Sequence, residues 1–236
     1  MAITTNDQRI AAAKQLVMLL KTASATTVAN NPSSVLDVAG NPGAGSLAVG
    51  NTANGVVPTD ATAGFPTINA FGGGNTGYLD SIHWGNTVVG RISLYDRLFH
   101  AGSFSLATLQ TFTLASQPSY VGRLPGSSYE GLEIFLEINA AVAASAVTVA
   151  VGYTNQDGTA GRTTAASSAL TSFITRRLIQ MPLQAGDKGV QKIDTVVIGG
   201  TVAATGTVNV IVARRLWSNR VRVANDGGLD AGNLTN

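Results

Sequence analysis

The sequence predicts an all-β protein: an antiparallel β-sandwich of jelly-roll type, preceded by an N-terminal helix and an extended arm. Three observations predict it. In the stretch Gly131–Thr154, Leu132, Ile134, Leu136 and Ile138 alternate with Glu133, Phe135, Glu137 and Asn139, and then Val147, Val149, Val151 and Tyr153 alternate with Thr148, Ala150, Gly152 and Thr154. A period of two places each set on one sheet face, and β-branched and aromatic residues fit a pleated, half-buried surface. Further runs of the same kind follow one another, separated by turn formers such as Pro125-Gly126, Asp157-Gly158 and Gly199-Gly200, with no helical period between them. Finally, a chain of 236 residues with no cysteine is long enough to bury one core without a disulfide or metal to staple it.

Residues 6–22 are predicted to form the one helix. Thr5 stands as N-cap with Gln8 at capping-box spacing, Asp7 lies in the first turn, and Ile10, Ala13, Val17 and Leu20 recur at three and four with Leu16 and Leu19 beside them. Such a helix is marginal alone and needs a surface to dock on. From Ala23 to about Thr76 the chain turns to Thr, Ala, Asn, Gly and Pro, with short apolar islands at Val35–Val38, Leu47–Val49 and Val56-Val57. A polar stretch this long inside a compact domain marks a functional arm or a linker. The expected organisation is therefore a helix and arm over residues 1–64 and a sandwich over 65–236 ending in a polar tail. Strands are expected at Tyr78–Trp84, Thr87–Phe99, Leu106–Leu114, Leu132–Asn139, Val147–Thr154, Arg162–Ala166, Phe173–Met181, Lys192–Ile198 and Thr207–Leu216. Leu132–Asn139 and Val147–Thr154, a short connection apart, read as an antiparallel pair.

Charged residues make up 12% of the chain, against an average of about 25%. So little charge suits a surface covered by partners better than one exposed alone. A net charge of +2, with Arg162, Arg176, Arg177, Lys188, Lys192, Arg214, Arg215, Arg220 and Arg222 spread over several strands, forms no polybasic cluster, so no nucleic acid is expected. No apolar run reaches the length of a membrane span, so no membrane partner is expected, and MAITTNDQRI does not read as a signal peptide.

The search for chemistry gives no catalytic, metal or cofactor-binding residue. His83 and His100 lie far apart and no cysteine joins them, which is not zinc-ligand spacing. Asp96, His100, Ser103 and Ser105 are close in sequence, but a triad is a geometry and no nucleophile elbow accompanies them; Tyr95-Asp96-Arg97 reads instead as charges pairing with neighbouring strands. Glu133 and Glu137 share a strand face roughly 13 Å apart, beyond glycosidase spacing, and read as solvent or interface carboxylates. Asn155-Gln156-Asp157-Gly158 lacks the later ligands of a calcium loop and reads as a hairpin turn. The glycines of GGGNTG at 72–77 precede no helix and so form no phosphate cradle.

Three segments together, ISLYDRLFHAG at 92–102, VGYTNQDGTAGRTT at 151–164 and LQAGDKGVQKIDT at 183–195, resemble a group of tailed-bacteriophage virion structural proteins. The resemblance covers about residues 80–216 and implies no catalytic residues. It implies a place in the particle: a capsid cement (decoration) protein on the capsid surface, a homo-oligomer, expected as a trimer, that clamps neighbouring major capsid proteins. A neck, tail or baseplate component is the alternative, and a carbohydrate-binding host-adhesion module stacking sugars on Trp84, Trp217, Tyr120 and Tyr129 is a reading from another class. The expected partner interface comprises Ile10, Val17, Leu20, Val35 and Leu36. Removing 1–64 is expected to leave the body folded.

Overall fold

A computed structural model describes residues 5–12, 14–72 and 77–235. Most of GGGNTG at 72–77 lies outside them, so the reading of that loop stays one of sequence. The elements in order are helix α1 (Asn6–Ala11) and strands β1 (Leu20–Lys21), β2 (Gly40–Asn41), β3 (Leu79–Asn86), β4 (Gly90–Ser105), β5 (Gln110–Thr113), β6 (Leu132–Ala140), β7 (Val147–Asn155), β8 (Arg162–Thr163), β9 (Leu178–Met181), β10 (Val190–Gly200), β11 (Thr207–Val221) and β12 (Asp226–Thr235). The chain divides into two units. One gathers 1–18, 66–95 and 215–236; the other gathers 19–65 and 96–214. This division departs from the expected boundary at 64/65, because residues 19–65 pack with the sandwich rather than forming a separate arm.

The larger unit is an all-β sandwich. Its two four-stranded sheets have the orders β4-β11-β6-β9 and β5-β10-β7-β8. Each early strand is bonded to a late one: β4 to β11, β5 to β10, β6 to β9 and β7 to β8. The ribbon of pairs ends at the β7–β8 hairpin. Leu132, Ile134, Leu136 and Ile138 from β6, Val208, Val210 and Val212 from β11, and Val147, Val149, Val151 and Tyr153 from β7 are buried in a common core with Phe104 and Leu98 of β4. The alternation seen in the sequence is thus the inner face of each sheet.

Two expectations are corrected here. β6 and β7 are not a hairpin pair, since they belong to different sheets. The small-residue link 141–146 carries the chain from one layer to the other, and nothing in a local alternation distinguishes that crossing from a tight turn. The strand expected to end at Phe99 also runs further, because β4 continues through Ala101-Gly102 to Ser105.

The hairpin at Asp157-Gly158 forms as expected. Gly158 has φ +80°, Asn155 Oδ1 accepts from the backbone N–H of Asp157 (3.1 Å) and Thr159 (2.9 Å), and Asn155 Nδ2 donates to Asp187 (2.8 Å). Asn155 is itself buried. Asn155→Ala removes three part-buried bonds that tie the turn to Asp187, so a loss of about 2 kcal/mol is expected in urea unfolding.

In the smaller unit β3 pairs antiparallel with β12. The polar tail expected after Leu216 is therefore a strand: β11 itself runs to Val221, and 226–235 completes a ladder whose bonds are backbone bonds. At Gly228 a Cβ would fall 2.4 Å from the Trp84 indole, so a glycine there lets the strand approach the ring. Trp84 and Trp217 meet with ring centroids 4.9 Å apart and planes tilted by 54°. The N-terminal helix is also corrected. Thr5 and Gln8 form the expected capping box, but the helix ends at Ala11 rather than running to 22. Beyond it Gln15 brackets the backbone of Asn69 with two 2.9 Å bonds, and Leu20-Lys21 pairs with Gly40-Asn41. These long-range backbone pairings compete with a helix that has little intrinsic stability.

Candidate functional site

Two polar clusters and one stretch of chain with exposed apolar side chains stand out. The first cluster lies on the outer face of the β4-β11-β6-β9 sheet, under residues 33–56. Glu137 shares a face with Glu133 and Phe135, as its period predicts, yet it is fully buried. The expectation of a solvent-facing or interface carboxylate is thus overturned for Glu137, because a stretch remote in sequence covers that face. Arg97 grips the carboxylate with both terminal nitrogens (2.6 and 3.2 Å) and donates to Ser34 Oγ (2.8 Å). His100 Nε2 lies 3.9 Å from Glu137, and Asn209 Nδ2 donates to the Leu47 carbonyl at 2.6 Å. His100 is wholly buried and neither ring nitrogen has a hydrogen-bond partner.

The electrostatics follow from that burial. Desolvation, with the Arg97 charge assisting, lowers His100 from 6.5 to about 4, against the opposing pull of Glu137. Burial alone would raise the Glu137 carboxyl, but the Arg97 charge and hydrogen bonds overcome it and hold Glu137 below the ordinary carboxylate value. At neutral pH the cluster is one buried ion pair beside a neutral imidazole. Glu137 and His100 have no exposure and Arg97 is 13% exposed, which leaves no opening for a substrate at the carboxylate or the imidazole. Its chemistry is that of a clasp between a sheet and the chain above it.

The second cluster explains two of the motifs singled out in the sequence. Asp187, from the 183–195 segment, receives the Tyr153 hydroxyl (2.7 Å) and Asn155 Nδ2 (2.8 Å), and Arg162 approaches it at 3.6 Å. Gln156 Oε1 accepts from the backbone of Lys188 and Gly189 (2.9 and 3.1 Å). Tyr153, Asn155, Gln156 and Arg162 all belong to the 151–164 segment, so the two motifs are halves of one interlock at the tip of the ribbon. Sequence reading identified both turns but not that they bond to each other.

The Asp96–His100–Ser103–Ser105 neighbourhood is not brought together as a reactive group. Asp96 pairs with Arg123 and lies 3.8 Å from Arg214, Ser103 accepts from Asn139, and His100 faces Glu137. The strand-to-strand pairing read from Tyr95-Asp96-Arg97 forms for Arg97 with Glu137 on β6 and for Asp96 with Arg214 on β11, while Arg123 reaches Asp96 from a turn outside the strands. Among the described residues no three His, Cys, Asp or Glu side chains gather as a metal site, and no helix is long and apolar enough to cross a membrane.

Of the expected interface residues, Ile10 (74% exposed), Val17, Leu20 and Val35 present their side chains to solvent, whereas Leu36 is buried, packed against Gly45 and Gly64. Leu16 (89% exposed), Met18, Leu19 and Val28 extend the exposed series along the same stretch of chain. Leu16 and Leu19 were legible as part of an apolar stripe; Met18 and Val28 had no periodic signal. Of the aromatic residues considered for stacking sugars, Tyr120 and Trp217 are buried and Tyr129 packs edge-on against Tyr120.

No protein-family model matches the chain, and no curated protein and no solved structure is significantly similar to it.

Proposed function

We propose that the chain is a structural subunit of a bacteriophage virion, a capsid cement protein that self-associates and clamps neighbouring major capsid subunits. One observation carries the self-association: between residues 10 and 35 eight large apolar side chains are more than a third exposed, from Ile10 to Val35. Stable monomers rarely leave such a series uncovered. The low charge of the chain supports the same reading. The strand pairs one-with-eight, two-with-seven, three-with-six and four-with-five support reading the sandwich as a jelly roll. The virion assignment rests on the three segments that resemble phage structural proteins, two of which form the Asp187 interlock. In this reading the sandwich presents shape and the leading segment makes contacts, each modest, whose repetition over a shell gives avidity.

Leu16→Ser/Met18→Ser/Leu19→Ser tests the interface. The full chain is expected to sediment as an oligomer, and the triple variant as a monomer with unchanged circular dichroism. Three lost apolar contacts correspond to an association weakened about 100-fold or more. A wild-type chain that stays monomeric at high concentration would remove the reading. Copy number in purified particles separates shell from tail: hundreds for the first, six or twelve for the alternative neck, tail or baseplate role. Deleting residues 1–64 would strip 33–56 from the sheet and expose Glu137, so that truncation is expected to destabilise the sandwich as well as remove the leading segment.

A further inference from the structure

Residues 33–56 are bonded to the sandwich at several points, among them a Ser33–Arg177 bridge and the Asn51 carbonyl, which accepts from the Gly102 N–H (3.2 Å). The bonds that meet the polar cluster come from Ser34, Leu47 and Val56. Ser34 Oγ bonds Arg97 and its N–H bonds the Arg176 carbonyl (2.8 Å). The Leu47 carbonyl bonds Asn209. Val56 exchanges both backbone bonds with His100 (2.8 and 2.9 Å). Leu36, Val38 and Leu47 supply the buried apolar contacts. The three strand residues named, Arg97, His100 and Asn209, belong to the polar cluster or touch it, whereas Arg176 lies in the turn before β9.

The charges in that cluster sum to zero: Arg97 positive, Glu137 negative, His100 neutral. The groups facing His100 from the packed elements are Arg97 on its own strand, Glu137 on β6 and the uncharged Asn209 on β11. From above come only Ser34 and the Leu47 carbonyl; Asp37 is engaged with Arg176 at 2.7 Å. The segment therefore offers no anion to the cluster. One added proton, on His100 or on Glu137, leaves a net positive charge among side chains of which only Arg97 has any exposure, with no spare carboxylate. A buried uncompensated charge is among the costliest states a protein interior can hold. Lifting the segment relieves it by admitting water, and the remaining sandwich core is not disturbed by that step.

We propose that residues 33–56 are an acid-released cover, clasped over the sheet while the Arg97–Glu137–His100 cluster is neutral overall and let go when it gains a proton. His100 is lowered on folding, from 6.5 to about 4. The released or unfolded form thus binds the extra proton between those values. The clasp is whole above pH 6.5 and weakens as pH falls toward 4. Glu137, lowered as well, acts in the same direction, its contribution being lost as pH falls through its depressed value.

Hydrogen exchange on the full chain, followed by mass spectrometry and corrected for intrinsic rates, tests this between pH 7 and 4. Amides in 33–56, with Ser34, Gly45 and Val56 as bonded reporters, are expected to lose protection by about tenfold or more across the window while β7 and β10 hold theirs. Glu137→Gln, which removes the anion at every pH, is expected to release the cover at pH 7. His100→Leu is expected to move the release to lower pH. The cover and β7–β10 opening together, or an unchanged profile in His100→Leu, would overturn the proposal. If His100→Leu does not fold, the imidazole resonances of the unaltered chain decide: protonation of His100 must coincide with loss of cover protection, and a ring that titrates beneath a fully protected cover rules the device out.

Discussion

Arg97→Leu is expected to destabilise the chain by about 3–5 kcal/mol, because it leaves the Glu137 carboxylate buried with no cation. Arg97 supplies both hydrogen bonds of a bidentate pair, and Glu137 has no exposure through which water could substitute. The Ser34 hydroxyl retains a bond to the Leu36 N–H (3.2 Å), so most of the loss belongs to the carboxylate. Arg97→Leu/Glu137→Leu is expected to recover much of the deficit, since replacing a whole buried pair by apolar side chains is often neutral or better. The double-mutant cycle, run by urea unfolding at pH 7, should therefore give a coupling on the order of 2–3 kcal/mol. A single variant losing less than about 1 kcal/mol would show the pair behaving like an exposed one, and would weaken the acid-released cover with it.

The parts of this fold that were legible are those in which local pattern and final environment coincide. Leu132 to Ile138 and Val147 to Tyr153 alternate because one side of each strand faces the core, and the side chains record it. Thr5 and Gln8 cap a helix, and Asp157-Gly158 turns a hairpin, because those geometries are made by residues within a few positions of one another. What was hidden depended on distant chain. Glu137 looks like Glu133 in sequence; only the arrival of Ser34 and Leu47 from a stretch without periodicity makes it the buried half of an ion pair. The sequence DGGLDAGNLT has almost no β-branched residues, so propensity cannot see β12, whose ladder to β3 is made by backbone and whose glycines make room for Trp84. The helix failed in the opposite sense: its apolar spacing is real, but Leu20-Lys21 pairs with Gly40-Asn41 and the stripe is left facing solvent. An apolar stripe specifies that something must cover it, and not what.

Tyr120→Ala is expected to cost about 3–5 kcal/mol, the range for emptying a buried aromatic site. Tyr120 is 2% exposed, meets Tyr129 edge-on at 5.8 Å and Phe99 at 6.3 Å, and donates its hydroxyl to the Val190 carbonyl at 2.8 Å. Burial also raises its phenol far above the ordinary value, so the hydroxyl stays a donor throughout the range in which the chain is folded. Tyr120→Phe isolates that donor: it keeps the ring and leaves the carbonyl without it, for an expected loss of about 1–2 kcal/mol. The two variants together separate packing from hydrogen bonding, and they also test what the residue is for. A ring that stacks on sugars must be reachable, and its removal would cost binding but little stability. Loss of stability in proportion to ring volume, with binding to a glycan array unchanged between the Phe variant and the native chain, places Tyr120 in the sandwich core and takes one of the four aromatic platforms from the host-adhesion alternative. A Tyr120→Ala chain as stable as the native one would reverse that conclusion.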